Sequence, residues 1–438
     1  MNRTSRLALC FLVLVSVAAA QKPSTSHRTS PAASPEKLIA LKATGTTRYT
    51  DKEILGASGL QVGQTAADGD FREAAKRLGD SGLFSDVAYT YTSSGSGMKL
   101  ELQLTDVEKD KLVPATFENF PWFTNAELLD ELQRRVPLFK RELPLAGKLP
   151  DWVEETLQAM LGEKHVPGRV DYLRETTQEG GKLIGISYSV ESLEIKIRNV
   201  EFPGATPDLL PGLMAVSQRL AGAPYRRASL AKVAEVDFLP VCLKSGYLKA
   251  SFAKADAHVV SQTDSEVEVD AIVPITPGKV YTTSSVEWKG NSAIATAEVA
   301  PLLHLTLDQP VDAIRLIHDV ETVAKLYRSH GYMAVQIKPE PQFDEAKSTV
   351  HYDLIVAEGD QYKMGELEIL GLDTQAKAKM AAAWTLRQGE PYNADYLNKF
   401  LSDTGQILPR DVQWSVSTHA TPDAKDKTVD VEIRFKQQ

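Results

Sequence analysis

The sequence predicts an α+β chain of about five tandem units, each ordered β-α-α-β-β, set out as an elongated array. Three observations predict it. A glycine-centred motif recurs at a period near eighty residues, a helical hydrophobic period precedes each copy, and an alternating period follows it.

The clearest copies are Ser245-Gly246-Tyr247-Leu248 and His330-Gly331-Tyr332-Met333, whose glycines lie 85 residues apart. Ser81-Gly82-Leu83-Phe84 stands 164 residues before Gly246, close to twice that spacing. A degenerate copy surrounds Gly168, and a fainter one runs from Thr404 through Gly405 to Val412. Before the glycine, Phe71, Ala74, Ala75 and Leu78 in the first unit and Leu316, Val320, Val323 and Tyr327 in the fourth keep helical spacing. The glycine ends that helix, because a residue without Cβ takes the left-handed cap conformation readily. Two alternating segments joined by a turn-rich loop then read as a hairpin. Its second strands fall on Lys99 to Leu104, Leu183 to Val190, Val267 to Val273, Val350 to Val356 and Val429 to Phe435.

The N-terminus reads as a secretory signal, with Arg3 and Arg6 ahead of apolar Leu7 to Val17 and the small residues Ala18 to Ala20. Cys10 follows Leu9, where a lipoprotein signal carries a small residue, so a lipid anchor is disfavoured. The period then sets a signal peptide at 1–20, a flexible leader at 21–36, and units at 37–107, 108–192, 193–277, 278–359 and 360–438. No later segment approaches the ~18 apolar residues of a membrane helix. Removing Arg3 and Arg6 from 49 basic against 58 acidic residues leaves a formal charge of −11. A nucleic-acid or anionic-membrane binder needs a basic face, so both classes are disfavoured. After cleavage Cys242 is the one cysteine left, and its apolar setting from Phe238 to Leu243 reads as a packed helix face.

Two further motifs repeat. Glu358-Gly359 with Tyr362 resembles Pro277-Gly278 with Tyr281, and Gly222-Ala223-Pro224-Tyr225 resembles Gly389-Glu390-Pro391-Tyr392, with Leu307-Asp308-Gln309-Pro310 as a degraded copy. With the Gly-Tyr step, these residues make the stretch from about Lys37 to Phe435 resemble the POTRA (polypeptide-transport-associated) domains of the outer-membrane protein assembly and two-partner secretion families. The second unit departs from the pattern, with Trp122, Phe123, Pro137, Pro144 and Pro150 in a longer middle. Assembly-type members continue into a membrane β-barrel, whereas no sequence remains after the fifth unit for strands of ~9–11 residues each. The resemblance therefore implies the role of a soluble periplasmic arm, associated with the outer membrane through a partner if at all.

It also implies the strand order 1-3-2, with the hairpin's first strand at the sheet edge, where an extended client can add as another strand. The candidate edge residues are Val87, Tyr89 and Tyr91; Ala250 and Phe252; Ala334, Val335 and Ile337; and Val412 and Trp414. Tyr247 and Tyr332 read as core, while Trp122 and Phe123 read either as an exposed aromatic knob or as a staple for the next helix. The implied partners are unfolded outer-membrane proteins or an assembly barrel. No cofactor, metal or catalytic residue is expected, since no phosphate loop, His-Glu-x-x-His or nucleophile elbow occurs. His304 and His318, near Asp308 and Asp312, straddle a helix–helix turn and do not read as ligands. A structural envelope spacer is the alternative role, and a periplasmic hydrolase with an unrecognised site stands behind it.

Overall fold

The computed structural model describes residues 35–177, 180–408 and 412–437. The expected signal peptide, Cys10 and most of the leader lie outside the described residues, as do Pro409, Arg410 and Asp411. Glu36, expected to end the leader, instead opens the first strand, where it pairs with Ala66.

Five sheets share one topology. The opening strands are Glu36–Thr44, Leu112–Phe117, Glu194–Glu201, Thr282–Lys289 and Lys363–Leu370. Each lies beside the second strand of its hairpin, and the first hairpin strand forms the edge, giving the order 1-3-2 throughout. The central strands are Gly97–Asp106, Leu183–Glu191, Glu266–Ile272, Thr349–Ala357 and Thr428–Gln437. They lie where the alternating apolar segments predict them. A sixth sheet is a short pair, Ser251–Phe252 with Ile275–Thr276. None of these sheets closes into a barrel, and no described helix is long and apolar enough to cross a membrane.

The chain divides into two compact units. One contains the first two repeats together with Gly222–Ala228 and Asp256–Ala271, which carry strands of the third; the other contains Asn199–Ala221, Ser229–Ala255 and the fourth and fifth repeats.

Local chemistry explains the helices. Thr50 and Thr124 each cap a helix reciprocally with the glutamate three residues on, Glu53 and Glu127. Asp312 and Asp373 accept from first-turn amides of Ala313–Ser329 and Thr374–Ala383. In the fourth repeat, Val350, Tyr352 and Leu354 point from the central strand into a cluster with Tyr281, Val311 and Leu316. Val323, Tyr327 and Val356 belong to a second cluster of the same repeat, with Ile294, Val299 and Val335. Pro240 lacks an N–H, and just ahead of it the helix loosens to a π turn over Ala234–Phe238, with Leu239 N–H reaching Ala234 five residues back.

The repeated motifs turn out to meet one another. The step between the helices pairs with the opening strand through antiparallel bridges at Lys196–Pro224, Thr282–Pro310 and Lys363–Pro391. In the first two repeats the same segment forms proper strands, Thr65–Ala66 and Glu142–Pro144. The Gly-Tyr step also bonds to the repeat that follows it. Tyr281 N–H donates to Gly246 O at 2.9 Å, and Tyr362 N–H donates to Gly331 O at 2.8 Å. The chain continues inward, from Val311 N–H to Tyr281 O and from Tyr392 N–H to Tyr362 O. A Cβ at Gly331, whose φ is +90°, would sit 2.4 Å from Tyr362 O.

Gly389 has a similar φ of +85° but open space around it. Gly389→Ala should therefore lose only about 1–2 kcal/mol, from left-handed strain. Gly331→Ala should lose that and about 1–3 kcal/mol more from overpacking. Urea unfolding midpoints of the two variants check the difference; equal losses would mean the joint does not confine Gly331.

Candidate protein-binding edges and the joints between repeats

The free side of each sheet follows from the closure just described. The inter-helix segment occupies the far side of the opening strand, so the hairpin's first strand is the side left open. These edges are Phe84–Ser94, Arg169–Thr176, Asp256–Gln262, Gln336–Asp344 and Trp414–Asp423.

Val87, Tyr89 and Tyr91 lie in the first edge as expected, opposite Leu104, Leu102 and Leu100. Their side chains face the core: Tyr89 and Tyr91 pack on Phe71, and Tyr89 Oη donates to Asp68 at 2.9 Å. Ile337 and Trp414 also lie in edge strands, Trp414 with its ring against Phe435.

The other residues are placed differently. Ala334 and Val335 precede their strand, and Val335 is buried in the core beside Tyr327. Val412 precedes Trp414–Asp423. Ala250 lies outside any strand, Phe252 belongs to the short extra sheet, and the third edge begins only at Asp256. One cause accounts for the third and fourth repeats. Tyr247 N–H and Tyr332 N–H bond back five residues to Cys242 and Tyr327, closing a Schellman-type cap. A further turn follows, with Ala250 N–H on Tyr247 O and Val335 N–H on Tyr332 O, so pairing starts several residues after the glycine. The edge of the second repeat carried no candidate residue because its Gly168 copy is degenerate.

Tyr247 is buried as expected, and its hydroxyl meets Asp208 at 3.0 Å; Tyr332 is half-buried against Tyr327. Trp122 is half-buried and tied, not a free knob. Its Nε1 donates to Gln262 Oε1 at 2.7 Å, at the end of the third edge, while Asn125 N–H donates to Asp256 at the other end. Arg227, nearly buried, donates to the carbonyls of Phe120 and Phe123 and pairs with Asp256 at 3.3 Å. Isolated as they are in sequence, these long-range partners carry no local signal.

Between the third and fourth repeats, Glu345 at the hairpin turn accepts from Lys249 and from Tyr281 Oη, while Lys249 lies 4.3 Å over the Phe343 ring. These donors, Lys249 first, hold the Glu345 carboxyl below its ordinary value of 4.5. In the fifth repeat, Lys427 at the hairpin turn pairs instead with Asp360 at the start of the same repeat, at 2.6 Å.

Chemistry beyond hydrogen bonding has few footholds among the described residues. Cys242 is fully buried, and burial pushes its thiol up to about 11. His304 engages Asp319 at 2.8 Å and lies in no cluster with His318, Asp308 or Asp312 among the described residues. Glu287, His351 and Asp353 come within ligand distance of one another, but Lys289 Nζ already sits 2.7 Å from Asp353. That ammonium holds the carboxyl of Asp353 below its usual range. In the first unit, a cavity of about 460 Å³ is lined by Asp70, Glu73, Asp80, Arg77, Lys148 and Trp152 among others. Lys148 pairs with Asp80 and Arg77 lies over the Trp152 ring, and no histidine or cysteine joins the lining.

The family model of the POTRA domain, described as a surface antigen variable number repeat, matches residues 281–359. The match runs from Tyr281, at the joint, past the central strand Thr349–Ala357. The chain carries a POTRA repeat. The other four repeats share the β-α-α-β-β order and the 1-3-2 sheet of this POTRA repeat. Solved structures resembling the chain include POTRA3-5 of Haemophilus influenzae BamA, at 20% identity over 56% of this chain and 96% of that one, with a TM-score of 0.40. POTRA1-3 of the periplasmic domain of Omp85 from Anabaena aligns at 16% identity over 56% and 95%, with a TM-score of 0.24. CdiB from Escherichia coli aligns at 15% over 52% and 35%, with a TM-score of 0.19.

A carboxyl with a pKa lower in the folded than in the unfolded chain adds stability above its unfolded value and loses it as the pH falls through the folded one. Acidification below 4.5 should therefore loosen the joint at Glu345, read as faster amide exchange at Tyr281. Glu345→Gln should remove most of that pH dependence; an unchanged profile would assign it to other carboxylates. Cys242 should resist iodoacetamide in the folded chain at neutral pH and react once urea exposes it.

Proposed function

We propose that the chain is a periplasmic protein-binding scaffold that handles extended polypeptide segments by β-strand addition and assists outer-membrane protein assembly or polypeptide transport. The observation that carries this reading is the asymmetry of the sheets. One side of each is closed by its own inter-helix segment, and the other ends in a strand with unpaired backbone groups. A strand edge binds through the main chain, so recognition depends on extension and pattern more than on one sequence. That suits a handler of many clients.

The N-terminal basic, apolar and small-residue order supports export, and the acidic balance of the chain supports a protein partner over nucleic acid. The scaffold is not an enzyme in this reading: the cavity of about 460 Å³ in the first unit has no histidine or cysteine in its lining, and its Lys148 is paired with Asp80. An envelope spacer is the second reading, favoured by the backbone bonds from Tyr281 to Gly246 and from Tyr362 to Gly331 and by the Lys249–Glu345 pair between successive repeats.

Photocrosslinking separates the two. A probe at Thr90 or Ser417, on edge strands, should capture unfolded outer-membrane polypeptides in living cells, and a probe at buried Val335 should not. Capture of one folded envelope protein alone, at every edge position, would support the spacer and overturn the scaffold.

A further inference from the structure

The five edges are not equivalent. We infer that strand addition takes place at the first and last repeats, while the middle three edges are guarded, each by a different device. The inference rests on the strand-addition reading above and goes further by choosing the edges and the guest.

The second edge, Arg169–Thr176, carries Arg169, Asp171, Arg174 and Glu175, so half of its residues are charged. Charges along an edge oppose pairing with another strand, because the guest must meet and partly desolvate them. The third edge is held at both ends by the preceding repeat, through Trp122 on Gln262 and Asn125 on Asp256, and Arg227 of its own repeat also pairs with Asp256. A guest would have to displace both ties.

The fourth edge contains Pro339 and Pro341. Proline has no N–H, and residues two apart along a strand direct their backbone groups to the same side. The strand still pairs with its neighbour without a shift from Gln336 opposite Ala357 to Asp344 opposite Thr349. The missing donors therefore lie on the outward side, where a guest would need them. Lys338 and Glu340 add charge to the same stretch.

Phe84–Ser94 and Trp414–Asp423 lack these devices. They are the two longest edges, 11 and 10 residues, and each bears a single carboxylate, Asp86 or Asp423, near one end. The one proline, Pro422, is next to last and sits opposite Val429 on the core-facing parity, as Pro339 sits opposite Leu354. That parity directs the backbone groups of Val416, Thr418 and Ala420 outward. Val416, opposite buried Phe435, is 40% exposed, which leaves an apolar shelf beside the strand.

The occupant this suits is an extended segment of another polypeptide, low in charge and apolar at alternate positions. A neutral edge neither attracts nor repels by charge, and the shelf at Val416 rewards an apolar side chain every second residue.

The test uses the whole chain and a fluorescein-labelled peptide of alternating valine and serine, with stoichiometry read by anisotropy. The wild type should take up about two peptides per chain. Tyr91→Pro and Thr418→Pro, which each remove one outward donor from well inside the strand, should each abolish one site, and the double variant should abolish both. Pro339→Val and Pro341→Val, made in the otherwise wild-type chain, should create a third site at the fourth repeat. That gain does not depend on how the loss variants fold, and their circular dichroism and urea midpoints check them separately.

Binding that survives the double variant would overturn the choice of edges and leave strand addition standing. No peptide binding by the wild type would defeat strand addition itself. A dimer of the chain that Thr418→Pro disperses and that the peptide competes away would make a second copy the occupant, overturning the guest assigned here.

Discussion

A short run of backbone hydrogen bonds along the opening strand governs the other features of this protein. Gly222 and Ala223 bond across Ile197, Asp308 and Gln309 across Thr283, and Gly389 and Glu390 across Met364. The inter-helix segment is thereby held as a rudimentary strand, which leaves each sheet with one occupied side and one open side. Without it, each repeat would present two unpaired edges, and the usual remedies for exposed strands would be needed twice.

The same segment ties one repeat to the next. Gly331 O, Tyr362 and Tyr392 form a ladder of main-chain bonds that begins at the end of one helix and ends in the following repeat. Gly246, Tyr281 and Val311 repeat it one unit earlier. Motifs that look like separate local signals, a cap, a turn and a proline step, are one joint seen from three places in the chain. Main-chain bonds make the joint tolerant of side-chain change, and the side chains then individualise it, as Glu345 and Lys249 do between the third and fourth repeats.

Much of the fold was legible because it follows local rules. The central strands alternate apolar and polar residues over a full length, as in Val350, Tyr352, Leu354 and Val356, and burial on one face leaves no other reading. The edge strands were less legible, since only one side of them is paired and their pattern is diluted by Ser, Thr and Pro. Ala250, Ala334 and Val335 were placed too early, because the cap and the turn after the glycine consume residues that alternate by accident. The two prolines at 339 and 341 were a visible clue to the true span and character of the fourth edge.

The sequence by itself determined the size of the repeat, the order of its elements and the burial of Cys242, since hydrophobic period, glycine caps and turn residues act over a few positions along the chain. Only the tertiary structure decided that Trp122 and Arg227 fasten the third edge, that Lys289 fills the site beside Asp353, and that the repeated steps converge on a joint. Those outcomes depend on groups from 29 to 140 residues apart being brought within hydrogen-bond reach. No local period encodes which distant partner a polar side chain or a free carbonyl will meet.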